Sequence, residues 1–462
     1  MGRNCGTEPG YIFRPMRILL WHGYLLSGSG SNIYTRAIAH RWREEGHHVV
    51  VMCQERHPEG FDWIDEEVEL RPGQEFQPSI GSSACELVRP YIGEVLPVYV
   101  YDEYETLTAK RFVDVTDGEL AEYNRLNVDA MKAVIGSFDP DAIITGHEVM
   151  GPHIAANACG DRSYLVKLHG SALEYAVKED PGRFLPYAVE GLGKARAVVG
   201  GSEYILREAA AVIPGWHDRG RVVNPGVDID LFKPADRRPG PRPVVGFVGK
   251  LIANKGAHEL LVALGLLDDP VDLVVVGFGD MEDRLRTLAA ALSHGDVRAA
   301  IDALRSDDPR EAPTRELLQG GAGPAIVQRA SRSRIRFTGR LEHEPLSRVL
   351  PTFDALVVPS ILGEAFGMVA AEGAACGVVP VVPDHSGIGE VGRVLEEALA
   401  RPGALSYDPQ ERTAGIAARL NELMALPRSD LRELGLRAAR VARERWSWEH
   451  CARDLLAFAS EG

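Results

Sequence analysis

The stretch Ala355–Gly377, ALVVPSILGEAFGMVAAEGAACG, constrains the fold of this chain more than any other. An apolar run, Ala355–Val358, stops at Pro359-Ser360; a loop follows, and small residues then form a predicted helix from about Phe366 to Cys376. Strand, loop and helix in that order is the repeating unit of a parallel α/β sheet, whose ligands gather at the carboxyl ends of the strands. The first helical turn presents the unpaired N–H groups of Phe366, Gly367, Met368 and Val369 to an anion, and a phosphate fits there. Glu364, in the loop, can reach a polyol beside that phosphate, and Glu372, further along the helix, can accept hydrogen bonds from vicinal hydroxyls. Two carboxylates around an anion site suit a ligand that carries both phosphate and sugar. The plainer alternative is an α/β helix bearing two solvated glutamates.

Other segments favour the ligand. Pro243–Gly256, PVVGFVGKLIANKG, reads as a buried strand over Val244–Val248, a turn at Gly249 and a loop carrying Lys250 and Lys255. Two ammonium groups at the carboxyl end of a parallel strand can neutralise a diphosphate. Val271–Gly279, VDLVVVGFG, is a second strand ending at Gly277-Phe278-Gly279, and Ile335–Gly339 is a third. Gly28 and Gly30 follow the first strand, where a backbone without Cβ can approach donor phosphates or a sugar closely. A nicotinamide or flavin reading of that loop fails, because Ile33 stands where the third glycine of Gly-x-Gly-x-x-Gly belongs.

Taken in chain order, SGSGSN (27–32), KLHGS (167–171), NPGVDIDLF (224–232), 249–256, 277–279 and the paired-glutamate segment resemble the retaining, nucleotide-sugar-dependent glycosyltransferases of the GT-B fold, family 4. The resemblance extends over nearly the whole chain and implies two doubly wound Rossmann-like domains facing across a cleft. It implies transfer of a glycosyl group from a nucleotide diphosphate sugar, UDP- or GDP-linked, to a small polar acceptor with retention. The leaving phosphate oxygen itself would take the acceptor's proton, and no separate protein base is needed. His169-Gly170, at the tip of the strand Tyr164–Leu168, matches a histidine-glycine pair of the family and is expected to touch the transferred sugar. His147, in TGHEV, is an acceptor-side candidate, as is the group Tyr99, Tyr101, Asp102 and Tyr104, whose plainer reading is an amphipathic strand end. Relatives more often carry arginine at Lys250, so Lys255 is the firmer phosphate ligand. The expected catalytic set is Glu364, His169 and Lys255. Gly28, Gly30, Lys250, Lys255, Gly277, Phe366, Gly367, Met368 and Glu372 are expected to hold the donor.

Asp228-Ile229-Asp230 mimics an Asp-x-Asp metal site of a different glycosyltransferase fold, but two lysines can supply the charge that a divalent ion supplies elsewhere. No cofactor and no metal are expected. Two rival readings are a nucleotide-sugar epimerase on the same fold and a catalytically silent sugar-nucleotide-binding protein.

A formal charge of −15 disfavours nucleic acid as a partner. The first helix, about Ile33–Glu45, mixes Arg36, Arg41 and Arg43 with Glu44 and Glu45, which is a solvated face rather than a stable membrane anchor. Six scattered cysteines suggest buried reduced thiols, and the N-terminal 15 residues, without a signal-type apolar core, read as a disordered lead to a cytoplasmic protein.

The expected division is an N-terminal acceptor-side domain over 16–235, with six strands beginning near Met16, Val49, Val95, Ala142, Tyr164 and Ala197. An irregular region from Glu55 to Gly93 interrupts it, and Gly118–Phe138 is a helix. A Pro-rich crossing at Phe232–Pro243 leads to a nucleotide-sugar domain over 244–427, and helices over 428–462 pack back on the first domain. Residues 290–333 form an insertion longer than relatives carry there. It is assigned to surface structure or to a homo-oligomer contact on the side away from the ligand.

Overall fold

The computed structural model describes residues 14–79, 84–99, 108–236 and 240–460. Tyr101, Asp102, Tyr104 and nearly all of the N-terminal lead lie outside them. The chain divides into two compact α/β units: one of Met1–Gly200, Leu206–Arg221 and Ala452–Gly462, the other of Gly201–Ile205 and Val222–Cys451.

The first unit is built on an eight-stranded sheet. Its centre is Leu165–Lys167, Ala142–Gly146, Arg17–Trp21 and His48–Met52, which run parallel side by side. Arg17–Trp21 and His48–Met52 are almost wholly apolar and buried, as strands covered on both faces must be. Asp117–Phe138, a helix closed by a reciprocal Thr116–Glu119 capping box, supplies buried Leu120, Met131, Val134 and Phe138.

The region 55–93 is not irregular. It holds Glu66–Leu70 and Cys85–Pro90, which extend the sheet in parallel beyond His48–Met52. Glu66–Leu70 is an edge strand, EEVEL, whose charged pattern hides its pairing. Val95–Val98, in turn, pairs with Thr108–Arg111 in a separate two-stranded sheet rather than joining the main one.

In the second unit the six strands run Arg334–Gly339, Asp272–Val276, Val244–Val248, Ala355–Val357, Val379–Pro383 and Ser406–Tyr407 across the sheet, all parallel. Numbered by sequence this is the order 3-2-1-4-5-6, the doubly wound Rossmann arrangement. The order reverses between Val244–Val248 and Ala355–Val357, so a crevice opens beyond the carboxyl ends of those two strands.

Two boundaries differ from the sequence reading. The main segment of the second unit starts at Val222, ahead of the Pro-rich crossing, and the helix Arg428–Arg445 packs into it through Leu431, Leu434, Ala438 and Ala442. Only the chain from Ala452 onward groups with the first unit, where Trp42 Nε1 donates to the Ala452 carbonyl at 3.2 Å.

The insertion is also not a surface appendage. Helices Val297–Asp302, Ala312–Gln319 and Gly323–Ala330 contribute Ala300, Leu318, Ile326, Val327 and Ala330 to the second unit's core. Val297–Asp302 folds back on the preceding helix Glu282–His294, so the chain returns towards the carboxyl ends of the strands before Ala312. No described helix is long and apolar enough to cross a membrane. Cys53, Cys85, Cys159, Cys376 and Cys451 are buried free thiols.

Candidate functional site

The switch point of the second unit brings together Lys255 and Glu364, two of the residues that the sequence singles out there. Lys255 leaves the loop after Val244–Val248 and Glu364 the loop after Ala355–Val357, and Lys255 Nζ lies 2.8 Å from Glu364 Oε1. Burial pushes the Glu364 carboxyl up, but the Lys255 charge, its hydrogen bond and one from Ser360 Oγ outweigh that and hold it below the usual range. Glu364 is therefore ionised at neutral pH. Its backbone is fixed as well: Glu364 N–H donates to Ser386 Oγ at 3.1 Å, and its carbonyl accepts from Gly387 N–H at 2.9 Å. Ser386 Oγ lies 3.0 Å from His385 Nδ1, and His385 Nε2 lies 3.0 Å from the Ser360 carbonyl. Because a carbonyl only accepts, Nε2 donates to it. His385 and Ser386 escaped the sequence reading, although DHSG after the apolar strand Val379–Pro383 repeats the strand-to-helix signal that exposed Glu364.

The glutamate helix runs Met368–Ala375, two residues later than predicted at its start. Gly367, at φ 109°, lies in the left-handed region, and a Cβ there would meet Ile388 at 2.9–3.1 Å. Ala370 and Ala371 N–H bond to the Gly367 carbonyl, while those of Met368 and Val369 have no intramolecular partner among the described residues. Phe366 is buried, edge-on to Trp446. Glu372 is 5% exposed, and burial pushes its carboxyl up to about 8; His343 Nε2 lies 3.9 Å from its Oε1.

Lys250 is exposed and forms no ion pair among the described residues. Gly277 packs so closely on the neighbouring loop that a Cβ would fall 1.9 Å from the Gly249 carbonyl oxygen. Its glycine thus serves backbone packing, which also keeps Gly249-Lys250 in place through Leu251 N–H on the Phe278 carbonyl at 2.7 Å. Asp228 Oδ1 accepts from Asp230 and Leu231 N–H at 3.1 and 2.9 Å.

The first unit has a second constellation at its own switch point. Trp21, Gly146 and Lys167 end three adjacent parallel strands, and His22, His147 and His169 follow them. The ring centroids are 5.7 Å apart for His22–His147 and 4.7 Å for His147–His169, and Tyr99 lies 4.8 Å from His147. Burial depresses all three histidines, His22 to about 4 and the others well below their usual range, so the cluster is uncharged at neutral pH. His22 Nε2 donates to Asn32 Oδ1 at 2.8 Å, since the amide nitrogen of Asn32 is committed to the Ser27 carbonyl. That contact ties the strand end to the glycine loop, where Gly28 has φ 101° and Gly30 begins the helix Gly30–Glu44. Glu148, fully buried, accepts from Gly170 and Leu173 N–H at 2.8 and 3.2 Å and so holds the His169 loop. His22, Asn32 and Glu148 were missed by sequence reasoning, although His22 obeys the strand-tip rule that pointed to His169.

Comparison with known proteins agrees with this architecture. Residues 297–425 match the family described as Glycosyl transferases group 1. A D-inositol 3-phosphate glycosyltransferase of Rhodococcus erythropolis is 32% identical over 248 residues, covering 51% of this chain and 47% of the relative. The chain thus spans about half the length of that curated relative. Sucrose-phosphate synthase from Thermosynechococcus elongatus superposes with a TM-score of 0.61 at 19% identity, over 96% of this chain and 98% of the other. Anabaena HepE, solved with UDP and glucose, gives 0.60 at 16% identity, with coverages of 96% and 98%. The fold is that of the GT-B glycosyltransferases. On that fold, residues 297–425 match the Glycosyl transferases group 1 family.

Proposed function

We propose that this protein is a retaining glycosyltransferase that moves a sugar from a nucleotide diphosphate sugar to a small polar acceptor without a metal ion. The observation that carries the reading is the Lys255–Glu364 pair at the switch point, next to the unpaired N–H groups of Met368 and Val369. In a sugar nucleotide the transferred sugar adjoins the diphosphate, so the groups recognising them must adjoin too. Lys255, Lys250 and the helix N-terminus neutralise the diphosphate as negative charge develops on it. Glu364, ionised and oriented by Ser360, accepts from the sugar hydroxyls. Glu372 receives the ribose hydroxyls.

The C1–O bond to the phosphate breaks, the acceptor oxygen bonds to C1 on the same face, and its proton passes to the departing phosphate oxygen. Nucleoside diphosphate and glycoside result. The neutral histidine cluster of the first unit, with His147 Nε2 buried and without a partner among the described residues, suits sugar or polyol hydroxyls, which both donate and accept. The UDP and glucose bound to HepE and the acceptor named for the Rhodococcus relative support this class of substrates.

A thermal-shift panel of UDP, GDP, ADP and dTDP sugars tests the proposal, because a ligand at about 100-fold its Kd stabilises by about 2.7 kcal/mol. One nucleotide series should raise the melting temperature, and its diphosphate should then be released only when acceptor is added. Release without acceptor, with the sugar epimerised instead, would contradict transfer.

A further inference from the structure

The insertion reaches the Lys255 loop through one side chain. Arg310 forks onto Asp308, with Nε and Nη2 at 2.7 and 2.6 Å from its two carboxylate oxygens, and its remaining Nη1 donates to Asn254 Oδ1 at 2.7 Å. Asn254 immediately precedes Lys255, and its own carbonyl accepts from Ile361 N–H at 2.8 Å in the loop that carries Glu364. The loop Ala253–Lys255 is therefore gripped from the insertion on one side and from the Glu364 loop on the other.

The turn that presents Arg310 is itself anchored. Glu311, fully buried, accepts from Arg284 Nη1 and Nη2 at 2.7 and 2.9 Å and from Arg305 N–H at 3.1 Å. The Arg310 carbonyl accepts from His258 Nε2 at 3.1 Å and from Arg412. A planar guanidinium, committed bidentately to Asp308, aims its Nη1 N–H groups in fixed directions, which a flexible ammonium could not do.

We infer that Arg310 is a positioning residue for sugar transfer: from the insertion, through Asn254, it sets the Lys255 ammonium against Glu364. The inference rests on the reading of Lys255 and Glu364 as the donor site. Deleting the side chain beyond Cβ leaves the Arg310 carbonyl and its bonds to His258 and Arg412 in place, so Arg310→Ala is expected to fold. Loosening a phosphate ligand by a fraction of an ångström to 1 Å costs up to about 100-fold in rate, so kcat should fall about ten- to a hundred-fold while the donor KM changes less.

The test is a double-mutant cycle on the full chain, assayed with the nucleotide sugar that the panel selects. Arg310→Ala and Asn254→Ala should each lower kcat by a similar factor, and the pair should lose no more than either alone. Arg310→Lys, whose ammonium lacks the planar fork that grips both Asp308 oxygens and fixes the direction to Asn254, should not restore the rate. In a Lys255→Ala background Arg310→Ala should have almost no further effect; an equal loss there would mean that Arg310 acts elsewhere.

A second readout needs no activity. Acetic anhydride labelling of Lys255, read by peptide mass spectrometry against exposed Lys250 as internal control, should accelerate several-fold in Arg310→Ala. Unchanged labelling overturns the inference whatever the reaction is. Absence of transfer by the native protein, with labelling altered as expected, would instead overturn the transferase reading.

Discussion

Glu364 and Glu372 share one loop and helix, yet burial acts on them to opposite result. Glu364 has Lys255 and Ser360 to stabilise its charge and stays ionised, whereas Glu372 lacks such a neighbour and is pushed up to about 8. In folding terms a raised pKa means that the native state holds a proton which the unfolded chain releases. The Glu372 contribution is thus fully present below about pH 4.5 and is lost as the pH rises towards about 8. Glu372→Gln abolishes that titration, so its urea midpoint relative to the native protein should rise steadily from pH 5 to pH 8; a constant difference would show that Glu372 titrates normally.

Ligand binding separates the two differently. Above about pH 8, where Glu372 is ionised, Glu372→Gln should weaken free nucleoside diphosphate and intact donor alike, by about ten-fold or more if a charged hydrogen bond of about 1.5–3 kcal/mol is lost. Glu364→Gln should leave the diphosphate's affinity nearly unchanged and lower turnover. Calorimetry on both variants decides, and equal weakening of the diphosphate would move Glu364 to the nucleotide. Both glutamates were legible from the sequence because a strand end and a helix start fix where they stand. Glu148 and His385 were not, since their roles depend on which backbone groups the fold brings to them.

At the level of elements, the N-terminus of Met368–Ala375 depends on Gly367. Alanine there would hold a left-handed backbone and press its Cβ on Ile388, so Gly367→Ala should cost about 1–3 kcal/mol by urea unfolding, with a matching loss of nucleotide affinity. Loss of affinity at unchanged stability would contradict the strain. Val244–Val248, Asp272–Val276 and Ala355–Val357 were plain in the sequence because each lies in an apolar run closed by glycine or proline, whereas Ser406–Tyr407, two residues long and half polar, was not. Glu66–Leu70 was not, because an edge strand needs no apolar face of its own. The insertion misled for another reason: chain length alone does not reveal that Val297–Asp302 turns back and delivers Arg310 to Asn254.

For the whole molecule, the last turns of the chain belong to the unit that begins it. Ala452, Leu455 and Leu456 are buried, and Ala452 meets Trp42, so removing residues 452–462 should destabilise the first unit by about 3–6 kcal/mol, two leucines' worth of burial. Differential scanning calorimetry should show that transition fall, and an unshifted one would show the tail to be dispensable. The doubly wound pattern was readable from strand and glycine spacing, but the extent of each unit was not, because Arg428–Arg445 and Ala452 onward form continuous helical sequence with different partners. In the proposed function the switch point of the second unit holds a diphosphate through Lys255 without a metal. Calorimetric titration of the panel's nucleoside diphosphate in excess EDTA tests it most directly. Native protein should bind as tightly as without EDTA, and Lys255→Ala should bind about ten-fold or more weaker. Equal affinity in the two proteins, or binding that EDTA abolishes and Mg²⁺ restores, would contradict the account.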